Sequence, residues 1–94
     1  MSANRFPPTK FAYSNDIHQQ LRHVVNEVCE VHAEFLERSV DYHKVAVELN
    51  DVMQACATAL EILRTQHSVD LDQAEADMVR KNDARGYYDH NHHN

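Results

Sequence analysis

Two stretches of the chain carry apolar residues in the same alternation of three- and four-residue steps, with one short polar interruption between them. The first seam runs Ile17, Leu21, Val24, Val28, Val31 and Phe35; the second runs Val45, Leu49, Val52, Cys56, Ala59 and Leu63. That period belongs to a helix with one dry side. A half-buried strand would instead alternate every second residue. The interruption "RSVD" (38–41) leaves room only for a short turn, so the two helices are expected to pack as an antiparallel hairpin.

Helix starts are written beside these seams. Asp16 followed by Gln19 has the spacing of a capping box, and Asp70 followed by Gln73 repeats it after the break "HSVDLDQ" (67–73). A third, shorter helix is expected through about Arg80, and Gly86 marks where helix should stop. One glycine and two prolines in 94 residues leave too few turn residues for a sheet protein. Residues 1–13, with Pro7-Pro8 and no helical period, read as an extended arm. The organisation expected is an arm over 1–15, a helical domain over 16–88 and a disordered tail over 89–94. Each long helix also has a second apolar row: Val25, Cys29, His32 and Leu36 on one, Ala46, Met53, Ala57 and Leu60 on the other. A hairpin and one short helix cannot cover both rows. The fold class expected is therefore all-α, an antiparallel helical hairpin plus a shorter third helix, forming an oligomeric helical bundle as a homodimer or homotetramer.

A formal charge of −6 argues against nucleic acid or an anionic membrane as the main partner, because phosphate backbones are held by lysine and arginine clusters. It leaves open a nucleotide bridged through divalent cations. Cys29 and Cys56 lie in apolar helical stretches and read as reduced, buried thiols. No apolar segment of signal-peptide or transmembrane length occurs, so a cytoplasmic location is expected.

The acidic residues are placed unusually. Glu27, Glu30, Glu34 and Glu37 share one side of the first helix, and Glu48 and Asp51 repeat the three-residue step on the second. In an antiparallel pair turning near Ser39, residues whose numbers sum to about 78 lie opposite one another. Glu27 then faces Asp51, and Glu30 faces Glu48. The four glutamates alone read equally as a solvated helix face. On the second helix, however, the row holding Glu48 and Asp51 continues through Ala55, Thr58 and Ile62, which is a burying face. Facing carboxylates there repel and lose solvation unless a cation sits between them. An all-oxygen donor set selects a hard ion, Mg²⁺ or Mn²⁺. A di-iron bundle would need Glu-x-x-His pairs, and the chain has none.

Glu27-x-x-Glu30, seventeen residues, then Glu48-x-x-Asp51 resembles the metal signature of the MazG-like, all-α nucleoside triphosphate pyrophosphohydrolases. "VELNDV" (47–52) is similar to that family's second motif, and "KNDARGYY" (81–88) to its substrate-binding stretch; the likeness covers roughly 17–88. The resemblance implies hydrolysis of a nucleoside or deoxynucleoside triphosphate between the α and β phosphates, giving the monophosphate and pyrophosphate, as in nucleotide-pool cleansing. It implies Glu27, Glu30, Glu48 and Asp51 as Mg²⁺ ligands. The family usually carries a further glutamate just before the first of these, where this chain has Asn26. An asparagine orients water but cannot take its proton, so Glu30 and Glu34 become the catalytic candidates. A phosphoribosyl-ATP pyrophosphohydrolase shares the architecture and is the nearest alternative. A non-catalytic helical interaction module is the alternative from another class.

For the substrate, Lys44 lies one turn before Glu48 and offers a phosphate contact or a plain ion pair with Glu48. Lys81, Asn82 and Arg85 carry over from the family's stretch as phosphate, sugar or base contacts; without it they read as cations suited to a helix C-terminus. Tyr87, with Tyr88, Phe11 and Tyr13, is a candidate to stack on a base or to close the bundle's ends. His18 and His23 read as solvated or helix-pairing, with a substrate contact the alternative for His23, four residues before Glu27 on the same flank; His32 reads as an interface residue, and His90, His92 and His93 as tail residues without fixed metal geometry.

Overall fold

The structure, a computed structural model, describes residues 6–89. Four helices follow in order: α1 (Phe11–Ser14), α2 (Ile17–Glu34), α3 (Tyr42–His67) and α4 (Leu71–Ala84). No strand occurs among the described residues. The expected tail residues His90, His92 and His93, and residues 1–5 of the expected arm, lie outside them.

Local chemistry sets the helix starts. Asp16 accepts from the Gln19 backbone N–H at 2.8 Å while the Gln19 side chain accepts from the Asp16 N–H at 2.8 Å, a complete capping box. Asp41 caps α3 through the Lys44 N–H, and Asp70 caps α4 through the Gln73 N–H. The stops use left-handed residues. Ser68 ends α3 at φ 55°, and Gly86, at φ 75°, follows α4 two residues after its last helical position. Helix α4 runs one turn beyond the expected Arg80.

The arm is not extended throughout. Hydrogen bonds from Ala12 N to Thr9 O and from Tyr13 N to Lys10 O, both 3.2 Å, wind it into the single turn of α1. That turn buries Ala12 against α3. Three polar ties hold the segment down: Gln54 Nε2 donates to Pro7 O at 3.0 Å, the Thr9 and Thr58 hydroxyls meet at 2.9 Å, and Gln66 Nε2 donates to Asn15 O at 3.1 Å.

Helices α2 and α3 form the hairpin, with the inner face of α2 shifted by one residue from the expected seam. Gln20 and Glu34 are buried and Val24, Glu27 and Val31 half-buried, whereas Leu21, Val28 and Phe35 are each about half exposed. Polar partners explain the shift. Gln20 is 1% exposed because its Nε2 donates to Ala55 O at 3.0 Å and its Oε1 accepts from Asn15 Nδ2 at 2.9 Å. A hydrophobic residue there would strand the Asn15 amide. Cys29 on α2 and Cys56 on α3 are both exposed, correcting the expectation of buried thiols; partial burial still pushes the Cys56 thiol up.

The buried apolar residues are Ala12, Val45, Ala55, Ala59 and Ile62. Three alanines, a valine and an isoleucine are a thin core. Helix α4 contributes nothing to it: it has no buried residue and touches the other helices only marginally. No helix among the described residues is long and apolar enough to cross a membrane.

Candidate metal centre

Glu27 on α2 and Glu48 and Asp51 on α3 each bring a carboxylate oxygen within 4.8 Å of the others. Glu48 and Asp51 share a flank of α3 because they are three residues apart, and the antiparallel level puts Glu27 across from them. Glu30, the fourth expected ligand, is exposed and stays outside this group, but its charge reaches Glu48. Partial desolvation, then the charges of Glu30 and Asp51, push the Glu48 carboxyl up; Lys44 opposes them.

Whether these residues suit a hard cation is decided at Glu27. Its Oε2 is buried with no hydrogen-bond partner, while Oε1 lies 3.4 Å from His23 Nε2. A buried, unpartnered oxygen on a carboxylate that stands among two others is costly as it is and suited to a divalent ion. The three donors are oxygens, as Mg²⁺ or Mn²⁺ requires, and the remaining positions would fall to water or phosphate.

A cleft of about 110 Å³ opens beside the carboxylates, lined by Glu27, Asp51, His23, Gln54, Gln20 and, from the arm, Thr9 and Phe11. The Phe11 ring stands 5.9 Å from that of His23, centre to centre. One wall is thus aromatic and the floor is amide and hydroxyl. Gln20, Gln54, Thr9 and Thr58 were not legible as site residues. The signal available was polar residues at positions 20 and 58, on rows that otherwise bury.

The remaining expected residues are placed as follows. Glu34 and Lys44 pair with each other: Lys44 Nζ lies 3.2 Å from Glu34 Oε2, and Glu34 Oε1 accepts from the Asp41 N–H at 3.4 Å. The pair raises the Lys44 pKa, through the hydrogen bond first and the Glu34 charge second, with Glu48 contributing less. Lys44 therefore pairs with Glu34 instead of Glu48, and Glu34 is occupied with the α2–α3 turn. Lys81, Asn82, Arg85 and Tyr87 are not brought to the carboxylates. Asn82 donates to Met78 Sδ at 3.2 Å, and Arg85 stacks on and hydrogen-bonds Tyr87. No α4 charge is among those acting on Glu48.

Comparisons with models of protein families, with curated proteins and with solved structures find no match.

Proposed function

We propose that this chain is a Mg²⁺-dependent pyrophosphohydrolase, active on nucleoside or deoxynucleoside triphosphates and similar to the MazG-like enzymes, serving cytoplasmic nucleotide-pool cleansing. The observation that carries the reading is the convergence of the Glu27, Glu48 and Asp51 carboxylates, with one Glu27 oxygen buried and unpartnered, at the edge of a cleft with an aromatic wall. Glu27, Glu48 and Asp51 would hold the ion, with Glu30 reaching in from the exposed side of α2. A bound Mg²⁺ would neutralise phosphate charge and acidify the attacking water, the chemistry needed to break the α–β anhydride bond. It also lets an acidic chain hold a polyanion.

The protein's own groups divide the remaining work. Phe11 and His23 offer a face on which a base can stack, and Gln54 offers an amide edge. Asn26 is exposed and can orient water without taking its proton. Glu34, held by Lys44 and the Asp41 N–H, has lost the freedom a general base needs, which leaves Glu30 as the carboxylate nearest to that role. Asn26 and the engagement of Glu34 are also what favour the rival reading, a non-catalytic module that keeps the fold.

The working form is a homodimer or a homotetramer. Leu21, Val25 and Val28 along α2, and Phe35 and Leu36 just after it, are each about half exposed or more, too much apolar surface for a chain with so thin a core.

The test is pyrophosphate release from a panel of standard and modified NTPs and dNTPs, with phosphoribosyl-ATP included, in Mg²⁺ or Mn²⁺. Turnover to the monophosphate that disappears in Glu48→Gln is the expected result. No turnover on any member would sink the enzyme reading in favour of the module.

A further inference from the structure

We propose that the N-terminal arm is a hinged wall of the nucleobase subsite: the base lies against Phe11, and docking of the arm and occupancy of the cleft favour one another. This rests on the pyrophosphohydrolase reading and adds a regulated part of the same chain to its site.

The arm is fastened by its small residue and presents its large one. What it buries against α3 is Ala12, 4% exposed, while Phe11 beside it stays 39% exposed. Burying the ring would have gained more than burying a methyl group, so a segment serving only as a clasp would turn Phe11 inward. Phe11 and Thr9 instead line a cleft of about 110 Å³ that they leave open. A plug would fill that space; a wall leaves it.

The rest of the lining says what the wall faces. Phe11 and His23 stand side by side, and Glu27 and Asp51 line the same cleft. A molecule that touches both ends carries a flat ring at one and a metal-bound anion at the other, which describes a nucleotide. The fastening is light. Gln54 Nε2 donates to Pro7 O at 3.0 Å, and the Thr9 and Thr58 hydroxyls meet at 2.9 Å. The Thr58 hydroxyl donates to Gln54 O at 3.1 Å, so Thr9 is the donor in that pair. Bonds of this kind are each worth little net, and a short segment held by a few of them and one alanine opens at low cost. A ligand that touches Phe11 and Thr9 binds the docked arm alone, and so draws the balance toward it.

Ala12 tests this without touching the ligand, because it lies outside the cleft lining and acts only through the arm's position. Ala12→Glu puts a charge at a buried position and should release the arm; Ala12→Ser is the mild companion. Calorimetric titration in Mg²⁺ compares AMP, GMP, CMP and UMP with inorganic pyrophosphate, which has no base. The preferred monophosphate is expected to bind Ala12→Glu roughly 5- to 150-fold more weakly than wild type, the range that stacking on an aromatic ring commands, with Ala12→Ser near wild type and pyrophosphate unchanged in both. Unchanged or tighter monophosphate binding in a folded Ala12→Glu overturns the proposal. A second measurement needs no variant. Lys10 O accepts from the Tyr13 N–H in the docked turn, so tryptic cleavage after Lys10, identified by mass spectrometry, reports release of the arm. The monophosphate should slow it and pyrophosphate should not; a rate indifferent to the monophosphate overturns the proposal even if Ala12→Glu does not fold. Wild type that releases pyrophosphate from triphosphates while Ala12→Glu keeps its KM would overturn the arm's role alone. Wild type that turns over no nucleotide and binds neither probe would remove the enzyme reading, and this proposal with it.

Discussion

Replacing Glu27 by glutamine should stabilise the protein without metal and abolish its response to metal. Glu27 keeps its shape in this substitution and loses one charge. Its Oε2 is buried and unpartnered, and one of its oxygens lies within 4.8 Å of an oxygen of Glu48 and of Asp51. Two unit charges at that separation repel by about 1 kcal/mol in water and about 3.5 kcal/mol at an effective dielectric of 20. Partial exposure puts the site nearer the lower figure, so relief of about 1–2 kcal/mol is expected for the variant. In a domain of this size each kcal/mol moves Tm by about 4–8 °C, so metal-free Glu27→Gln should melt several degrees above wild type. Mg²⁺ reverses the order: at about 100 times its Kd it adds about 2.7 kcal/mol to wild type and little to the variant. Differential scanning calorimetry in EDTA and in Mg²⁺, at fixed protein concentration, measures all four values. A variant that melts lower in EDTA, or gains as much from Mg²⁺ as wild type does, would refute the reasoning.

Other expectations follow from single residues. Glu48 has a folded-state pKa above its usual 4.5, so its ionisation opposes folding. Its contribution to metal-free stability is fully present below 4.5 and lost as pH rises through the raised value, while the Mg²⁺-induced rise in Tm should grow over that window; a response flat with pH would exclude Glu48 as a ligand. Gln20→Ala deletes one buried and one part-buried hydrogen bond and leaves a cavity at a buried position, and should cost about 2–4 kcal/mol in urea unfolding. Asp70→Ala removes the cap of α4 at about 1 kcal/mol of local helix stability, and should speed amide exchange in its first turn while leaving α3 unchanged.

What could be read beforehand was what local chemistry or helix arithmetic dictates. Asp16, Asp41 and Asp70 act within three residues of themselves, so two of the caps were visible as spacing. The antiparallel level followed from the turn length, which is why Glu27 was expected opposite Asp51, and why Glu34 and Lys44, whose numbers also sum to 78, face each other. The rotation of α2 was not legible. The expected seam and the observed inner face share positions 17, 24 and 31, and the choice between Leu21 and Gln20 is made by Asn15 together with Ala55, which lies 35 residues away in the chain. The same blindness hid Gln54 and Thr58, whose partners Pro7 and Thr9 arrive from more than forty residues away. Cys29 and Cys56 have apolar neighbours in sequence yet are exposed, because neighbours along a helix do not fix which of its faces turns inward.

The thin core and the crowded carboxylates bear on each other. A hairpin whose buried apolar side chains are mainly alanines has little stability in reserve, and facing acids subtract from it. Two things outside the chain would restore the balance: a cation between the carboxylates and a second copy over the exposed row of α2. As proposed, both would bind only the folded hairpin, so each would raise the apparent affinity of the other wherever the hairpin is partly unfolded. Whatever factor Mg²⁺ contributes to dimer affinity, the dimer must return to Mg²⁺ affinity. Coupling of this kind is typically about 1–3 kcal/mol, so Mg²⁺ should tighten the dimer roughly 5- to 150-fold. Sedimentation equilibrium in EDTA and in Mg²⁺ would show it, with Glu27→Gln as the control that removes the response. A dimer constant indifferent to Mg²⁺ would mean that the acidic cluster and the apolar face serve separate ends, and that the hairpin is stable without either.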